Sequence, residues 1–407
     1  MKKIILLLVV IIWSCKSDDS HYEIVNVAKA ITISKAEFRT SVVVETAQPI
    51  HHAGKIYSYG DYIFINDKFE GVHVIDNTNP STPQAIAYIK IPGNEDISIK
   101  NNYLYADSSI DLVVFDISDI HNIEPIERLE DVFSVYDFQF PEGFDYVDFG
   151  DYDSDSEVIV GWTIVEEERE VGSHGGFETI DAASNDSGGH NSVGTGGSLA
   201  RFQIVNEYLY TVGSHEMTIF NISNLSQPSL ANTFYSGNNV ETLFQADGYL
   251  YLGSTDGMYI YSLENAVNPQ FISEFVHWTG CDPVVVDGNY AYLTLRGGNN
   301  CGQQESVLEV IDISNKTYPT LTATYSLDNP YGLGINQNVL FVCDGDSGLK
   351  VFDKTNPLDI QWVETFSNVH ATDVIPLENS LLMIGDNVLY QYEYSNNSVT
   401  LLSTLQL

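Results

Sequence analysis

Basic residues are scarce in this chain of 407 residues. Lys and Arg together number 17 against 56 Asp and Glu, which gives a formal net charge of −39. No lysine occurs between Lys100 and Lys316. A field of this sign repels the phosphates of nucleic acids and anionic lipid headgroups. The composition therefore excludes DNA and RNA as partners, whereas cationic partners and divalent ions remain compatible with it.

Long apolar runs are missing except at the N-terminus. Nine apolar residues from Ile4 to Ile12 follow the basic Lys2 and Lys3, and a bilayer span needs about 20. With Cys15 at its end, this segment resembles a bacterial lipoprotein signal over residues 1–14, in which the cysteine receives the lipid. An ordinary secretory signal with an incidental cysteine is the alternative.

The residues after Cys15 bear on the location. Residues 16–19 read KSDD and resemble the acidic tether of surface-exposed lipoproteins in Bacteroidetes-type bacteria. We therefore expect residues 15–37 to form a lipidated N-terminus and tether. The protein would be held in the outer membrane through this lipid alone and exposed at the cell surface, with the periplasmic face as the alternative.

Cysteine is also rare, with four residues in the chain. Cys281 and Cys301 flank the segment VVVDGNYAYLTL, whose out-and-back path would bring their two loops to one edge of a hairpin. This predicts a Cys281–Cys301 disulfide, which suits an oxidising compartment; two free thiols are the alternative. Cys343 follows a core strand and is predicted to be a buried small residue.

What the sequence does contain is a repeat. A triplet such as Tyr-Leu-Tyr recurs seven times, with first residues Tyr62, Tyr103, Tyr208, Tyr249, Tyr290, Val339 and Leu381. The steps between them are 41, 105, 41, 41, 49 and 42 residues. A second apolar run follows each triplet, such as VHVID, LVVFD or LKVFD, and further apolar segments stand before and after the pair.

Four short strands per period of about 40 residues are typical of a β-propeller blade. The stretch GYLYLGSTDGMYIY at 248–261 shows no polar alternation, as expected for a hairpin covered on both faces. Its Asp256-Gly257 predicts the turn. We predict an all-β, monomeric chain with a single propeller of seven four-stranded blades over residues 38–407. A pair of β-sandwich domains is the alternative.

Two connections break the period. The 105-residue step indicates an insertion at about 136–198, between blades 2 and 3. Its acidic first half contains a predicted strand at 157–165, and its second half is rich in Gly, Ser and Asn, which predicts a flexible loop. A smaller insertion at 296–306 lengthens a hairpin of the fifth blade.

The acidic half of the insertion is the best candidate for a metal site. Carboxylates recur at every second residue, as in a calcium loop, at Asp151, Asp153, Asp155 and Glu157. The loop lacks the glycine and the closing glutamate of an EF-hand. Calcium is thus the only cofactor that the sequence suggests, and a solvated acidic loop is the alternative.

The repeats resemble a known family. Runs such as VHVID, LVVFD, LEVID and LKVFD are similar to those of the LVIVD repeat proteins, lipoproteins of Bacteroidetes-type bacteria. The likeness covers roughly residues 38–395 and includes the block from Cys281 to Cys301. It implies a β-propeller fold and an envelope location. It implies no activity, so no catalytic residue follows from it.

Catalytic motifs are absent. The sequence has no HExxH, no C-x-x-C, no G-x-S-x-G and no phosphate-binding loop, and the adjacent His51 and His52 predict exposed or core-satisfied imidazoles. We expect a binding or scaffolding module for an extracellular protein or glycan. The alternative is a hydrolase or lyase acting on an extracellular polymer, with or without the help of calcium, which would need carboxylates from three or more blades to cluster.

Overall fold

The structure is a computed structural model that describes residues 22–134, 140–141, 143–170, 195–196, 198–255, 257–276, 283–297, 305–395 and 398–407. From residue 22 the chain forms a long strand, one short helix and a short strand: β1 (Tyr22–Ser34), α1 (Lys35–Thr40) and β2 (Val43–Thr46). Seven antiparallel blades then follow in chain order, each built on four consecutive strands; β2 and a short strand of the insertion extend the sheet of blade 1 to six strands.

The strands of blades 1 and 2 are β3 (Ala53–Tyr59), β4 (Tyr62–Asp67), β5 (Gly71–Asp76), β6 (Gln84–Lys90), β7 (Ile97–Lys100), β8 (Tyr103–Ser108), β9 (Asp111–Asp116) and β10 (Glu124–Leu129). The insertion contributes β11 (Tyr146–Asp148), β12 (Glu157–Glu170) and β13 (Thr195–Gly196). Blades 3 and 4 contain β14 (Phe202–Val205), β15 (Tyr208–Val212), β16 (Glu216–Asn221), β17 (Ser229–Tyr235), β18 (Val240–Ala246), β19 (Tyr249–Ser254), β20 (Gly257–Ser262) and β21 (Gln270–Val276).

Blades 5 to 7 complete the ring with β22 (Val284–Asp287), β23 (Tyr290–Leu295), β24 (Val307–Asp312), β25 (Thr320–Ser326), β26 (Leu333–Asn336), β27 (Val339–Cys343), β28 (Leu349–Asp353), β29 (Gln361–Phe366), β30 (Asp373–Pro376), β31 (Ser380–Gly385), β32 (Val388–Ser395) and β33 (Ser398–Gln406). The first strand of each blade lies at the axis and contacts the first strand of the next, and β30 of blade 7 contacts β3 of blade 1. The ring therefore closes, and the predicted seven-bladed propeller is confirmed.

The repeated triplet forms the second strand of each blade and explains the apolar pattern. Its third residue is a fully buried tyrosine in four blades: Tyr105, Tyr210, Tyr251 and Tyr292. The hydroxyl of Tyr105 donates to the carbonyl of Leu225, and that of Tyr210 donates to Ala266, each at 2.8 Å. Both acceptors lie in the following blade. In blades 2 and 3 the tyrosine thus fills the space next to the following blade and is hydrogen-bonded to it.

The polar residue that ends the third strand is structural as well. In blade 4, Ser262 Oγ accepts from the backbone N–H of Glu264, two residues later. In five other blades an Asp or Asn oxygen accepts from the N–H two residues later, at Asp76, Asp116, Asn221, Asp312 and Asp353. This is an Asx turn, which starts the reversal into the outer strand. The acidic end of the VHVID and LVVFD runs is therefore explained by backbone geometry.

Strand direction places both insertions at one end of the propeller. Because successive strands of a blade alternate in direction, the loop between strands 2 and 3 leaves at the same end as the connection to the next blade. We call this end the upper face. The backbone N–H of Phe69, in a 2–3 loop, donates to Asn94, in the connection from blade 1 to blade 2, at 2.9 Å. The insertions at 136–198 and 296–306 both leave from this face.

A three-stranded sheet lies on the upper face over blades 1 and 2. It has the order β11–β1–β12, and β1 pairs along its whole length with β12, from Tyr22 opposite Glu170 to Ser34 opposite Glu157. Ser109 Oγ in blade 2 donates to the carbonyl of Ile159 in β12 at 2.9 Å. The predicted strand at 157–165 is confirmed and extends to residue 170.

The N-terminal segment differs from the expectation. The sequence suggests a tether over residues 15–37, but Tyr22–Ser34 form a paired strand and Lys35–Thr40 a helix. Phe38 of that helix is fully buried. The strand pairs with residues of the insertion more than 100 positions away in sequence, so no local pattern reveals it.

Several predictions lie outside the described residues: lipidation at Cys15, the Cys281–Cys301 disulfide and most of the Gly- and Ser-rich half of the insertion. Cys343 is fully buried, as predicted. Within the described ranges, no helix has the length and apolar character that crossing a membrane requires.

Candidate functional site

Charged side chains meet around the axis at the upper face. Lys55, Asp96 and Arg201 all stand seven residues before the triplet of their blade, at the start of the first strand. Lys55 Nζ lies 3.3 Å from Asp96 Oδ2, which also accepts from the backbone N–H groups of Arg201 and Phe202. Blades 1, 2 and 3 are thus joined through one carboxylate.

The insertion returns to the propeller through the axis. We call residues 195–201, without the undescribed residue 197, the axial plug. Its Gly196 pairs with Tyr57 of blade 1. Ser198 Oγ accepts from the N–H of Leu333 in blade 6 at 2.5 Å, and the carbonyl of Ala200 accepts from Leu243 in blade 4 at 3.2 Å. Buried residues of the chain itself therefore occupy the upper end of the axis.

Asp373 of blade 7 completes this network. It accepts from the backbone N–H of Ile56 at 3.4 Å and of Val374 at 2.9 Å, and from the N–H of Ser198. Burial raises the pKa of Asp373 to about 7, although these hydrogen bonds oppose the rise. Burial lowers the pKa of Lys55, with Asp96 opposing that change.

Asp107 is a further buried carboxyl of blade 2. Its Oδ1 accepts from Asn94 Nδ2 at 2.8 Å and from the backbone N–H groups of Glu95 and Asp96 at 3.0 and 2.8 Å. Burial, followed by the charge of Glu95, raises its pKa to about 8. Carboxylates of blades 2 and 7 thus approach the axis, but their oxygens are engaged by the chain itself.

Accessible features surround the plug on the upper face. A cleft of about 360 Å³ between blades 7 and 1 is lined by Ala53, Thr372, Ile384, Gly385, Asp386 and Asn387. Its volume lies at the lower end of the range for small-molecule sites.

A second feature of the upper face combines residues of blades 5, 6 and 7, in which Asp346 and His370 reach solvent and Arg296 is buried. The Arg296 guanidinium lies 4.3 Å from the ring centre of Tyr331, which contacts His370 edge-to-face at 5.6 Å. His370 Nδ1 lies 2.7 Å from Asp346 Oδ1, and the Asp346 side chain is 97% exposed. We call these four residues the upper-face patch. Aromatic and charged groups of this kind are common in recognition surfaces.

The calcium candidates lie in the turn before β12. Asp153 accepts from the N–H of Asp155 at 3.1 Å and from Ser156 Oγ at 2.7 Å, and its own N–H donates to Glu157 at 3.3 Å. Asp151 and Asp155 are exposed. These local bonds close the turn without a metal, and calcium binding by Asp151, Asp153, Asp155 and Glu157 stays a prediction.

A different set of possible ligands comes together in blade 1. Across the described ranges, the one group of three His, Cys, Asp or Glu residues with converging ligand atoms is His51, Asp67 and Glu70, all within 4.8 Å of one another. His51 Nδ1 lies 3.0 Å from Glu70 Oε2, and this hydrogen bond raises the pKa of His51. His51 is exposed, as the sequence suggested. Its contacts with Asp67 and Glu70 were not predicted.

Sequence reasoning also missed Lys55, Asp96 and Arg201. Their common offset of seven residues from the triplet is the signal that could have found them, because equal offsets in a propeller place residues at equal heights around the axis. No such signal exists for Asp67, which ends β4, or for Glu70, which lies in the loop that follows.

Comparisons with known proteins agree with this architecture. The profile of the LVIVD repeat matches residues 51–87, 94–124, 196–235 and 281–326, which correspond to blades 1, 2, 3 and 5. The chain therefore carries LVIVD repeats, as the sequence resemblance indicated. No curated protein matches the sequence.

Several solved structures share the fold at low identity. BamB from Moraxella catarrhalis is 9% identical, with 82% of each chain covered and a TM-score of 0.51. A periplasmic gluconolactonase, PpgL, from Pseudomonas aeruginosa is 11% identical over 87% of this chain and 96% of its own, with a TM-score of 0.52. A protein from Lactobacillus plantarum is 10% identical over 86% and 96%, with a TM-score of 0.53. At these identities the likeness shows the fold alone.

Proposed function

We propose that this LVIVD-repeat propeller is a binding module that presents its upper face to an extracellular protein or glycan. Cys15 carries the lipid in this proposal and holds the chain in the outer membrane, with the propeller exposed at the cell surface. In this proposal the protein binds its ligand without catalysing a reaction, so it needs no catalytic group at the propeller axis.

The observation that carries the proposal is the closed axial network. Propellers that act on substrates need free acid and base groups at the mouth of the channel, within reach of a substrate proton. Here Asp96, Asp107 and Asp373 accept from backbone N–H groups or from buried side chains of the same chain. The axial plug occupies the space in which a substrate would lie. A hydrolase or lyase therefore finds less support than a binding module.

The surface around the plug supports ligand binding. The upper-face patch offers an imidazole and an exposed carboxylate beside an aromatic ring that is backed by the buried Arg296. The cleft between blades 7 and 1 lies on the same face. The two insertions also leave from there. Loops on a rigid scaffold are the usual place for recognition residues.

Affinity capture from outer-membrane and secreted fractions, together with a glycan array, tests this function. The wild-type chain is compared with H370A/D346A, which removes two members of the upper-face patch. The control is H121A/D119A, an exposed His and Asp pair in the turn between strands 3 and 4 of blade 2, at the opposite end. We expect a ligand that binds the wild type and the control but binds H370A/D346A at least about tenfold more weakly.

Two results would count against the proposal. A clean negative in both the capture and the array removes the support for a binding module. Equal loss of binding in H370A/D346A and H121A/D119A would mean that the upper face is not the recognition surface.

The location is tested separately with C15A. We expect the wild type to partition with the outer membrane and to be cleaved by protease added to intact cells, and we expect C15A to be released as a soluble chain. Resistance of the wild type to external protease would favour the periplasmic face. Identical fractionation of the two chains would favour an ordinary secretory signal.

A further inference from the structure

The end of strand β4 and the segment before β3 form a pocket of mixed nitrogen and oxygen ligands on the upper face. Asp67 is the last residue of β4, Glu70 ends the short loop that follows, and His51 precedes β3. We propose that His51, Asp67 and Glu70 bind a divalent transition-metal ion of the Zn²⁺ class.

The distances suit a tetrahedral site. Zinc ligands at about 2.0–2.1 Å from the ion lie about 3.4 Å from one another in a tetrahedron. His51 Nδ1 lies 3.0 Å from Glu70 Oε2 and 3.8 Å from Asp67 Oδ2, which bracket this value. Small shifts of two exposed side chains would therefore complete three ligand bonds. The fourth position faces solvent and takes a water molecule.

The buried member of the group is held in place. Asp67 is 1% exposed, and its oxygens accept from the backbone N–H groups of His51 and His52 at 2.9 and 2.7 Å. The site therefore contains a carboxyl group held in a fixed orientation before any ion arrives, as a preorganised metal site requires.

A second observation comes from the residue behind Asp67. His73 is 1% exposed, stacks on Tyr88 at 4.5 Å and directs Nε2 to Asp67 Oδ2 at 3.3 Å. Its Nδ1 is buried and has no hydrogen-bond partner within the described ranges. Nε2 is therefore the ring nitrogen that hydrogen-bonds, and Asp67 Oδ2 is its acceptor. His73 therefore orients Asp67, as groups behind a metal ligand do.

The ligand set also selects the metal. Imidazole with two carboxylates suits zinc and its neighbours, whereas calcium and magnesium prefer oxygen ligands alone. The net charge of −39 concentrates divalent cations near the surface. The ion would clamp the segment before blade 1 to the 2–3 loop of that blade.

Zinc titration of the full chain tests the site, after chelator treatment and dialysis, with isothermal calorimetry and elemental analysis. We expect one Zn²⁺ per chain at this site, and at least about tenfold weaker binding in H51A and in E70Q. The matched control is H52A, because His52 is the exposed neighbour of His51 and contributes only its backbone N–H. H52A should bind as the wild type does.

Cobalt spectra distinguish metal bound at this site from metal bound by the cysteines. Co²⁺ bound to His51, Asp67 and Glu70 should give d–d bands without a thiolate charge-transfer band, and H51A should lose them. Because His51 is exposed, H51A should fold with the unfolding midpoint of the metal-free wild type. The proposal is wrong if the wild type binds no zinc, if H51A and H52A bind it equally, or if the cobalt spectrum shows thiolate ligands alone.

Discussion

Lys55 and Asp96 form an ion pair between blades 1 and 2, with Nζ 3.3 Å from Oδ2 and the two side chains only 15% and 3% exposed. Breaking such a pair leaves a buried charge without its partner, which costs more than the pair contributes when intact. We expect K55M to lower the free energy of unfolding by about 3 kcal/mol in urea titrations. Asp96 keeps its backbone donors, so a larger loss is not expected.

The control for this prediction is K29M. Lys29 pairs with Glu167 at 2.6 Å, but its side chain is 43% exposed. Exposed pairs contribute little because water already screens the two charges, so K29M should leave the urea midpoint unchanged. Equal effects of K55M and K29M would show that burial of the Lys55–Asp96 pair has no energetic consequence.

A second prediction concerns the contact of the axial plug with blade 6. A Cβ on Gly332 would lie 2.5 Å from Ser198 Oγ and 2.9 Å from Asp373 Oδ1. G332A should therefore displace the plug and cost about 1–3 kcal/mol of stability. S198G removes the nearer atom, so G332A/S198G should be less destabilised than the sum of the two single variants.

The control for the plug is G161A. A Cβ there would be 3.6 Å from its nearest neighbour, Phe69 Cβ, which is an ordinary contact. G161A should be neutral. Additive effects of G332A and S198G in a double-mutant cycle would contradict the direct contact between the two residues.

The propeller could be predicted from sequence because its information is local. The buried triplet, the Asx turn and the outer strand recur at a constant spacing, and each blade is made of consecutive residues. The pairing of β1 with β12 and of β13 with β3 joins segments more than 100 residues apart. Nothing in the YEIVNVAKAITIS segment specifies that partner. For this reason the sequence suggested a tether where the structure has a paired strand.

The residues of the candidate site also fall into those with a local sequence signal and those without one. Lys55, Asp96 and Arg201 could have been found by aligning the repeats on their triplets. The contact of His51 with Glu70 depends on the path of two irregular segments, and the closure of the axis depends on where the insertion returns. Both follow from tertiary packing, which single-sequence patterns do not report.

A third prediction concerns pH. The pKa of Asp107 is raised from an ordinary value of 3.8 to about 8, so the folded state holds this proton more tightly than the unfolded state. Its stabilising contribution is fully present below about pH 4 and is lost as pH rises through about 8. Asn at this position cannot titrate and keeps the Oδ1 acceptor. Between pH 6 and pH 9 the melting temperature should therefore fall less in D107N than in the wild type.

D61N is the matched control, because it replaces an aspartate carboxyl with an amide at an exposed position. D61N should follow the wild-type pH profile. If D107N also follows that profile, Asp107 ionises as readily in the folded chain as in the unfolded chain.

The disulfide prediction is decided by counting thiols. C15A retains Cys281, Cys301 and Cys343. If the Cys281–Cys301 bridge is present, one thiol of denatured C15A should react with a colorimetric thiol reagent. No thiol of the native chain should react, because Cys343 is fully buried. Three thiols in the denatured, non-reduced chain would exclude the bridge.

The last prediction returns to the hairpin of blade 4, where Gly257 starts β20 with φ of +139°. A Cβ at this position would lie 1.9 Å from the carbonyl oxygen of Phe275 in the outer strand. Gly71 and Gly348 have the same relation to Ile89 and Phe366, at 2.1 Å each. Glycine is thus required where the outer strand crosses close to the start of the third strand, and G257A must push the two strands apart.

Gly248, in the first turn of the same blade, is the control that separates the effect of the clash from that of a positive φ. Its φ is +81°, but a Cβ at this position would meet no atom within 4 Å beyond its own chain neighbours. G248A should therefore cost only the backbone strain of about 1 kcal/mol, whereas G257A should cost several times more, measured as the shift in urea midpoint at constant slope. Equal costs would mean that positive φ alone explains both glycines. A larger cost for G257A would identify strand proximity as the reason for glycine at the start of the third strand in blades 1, 4 and 6.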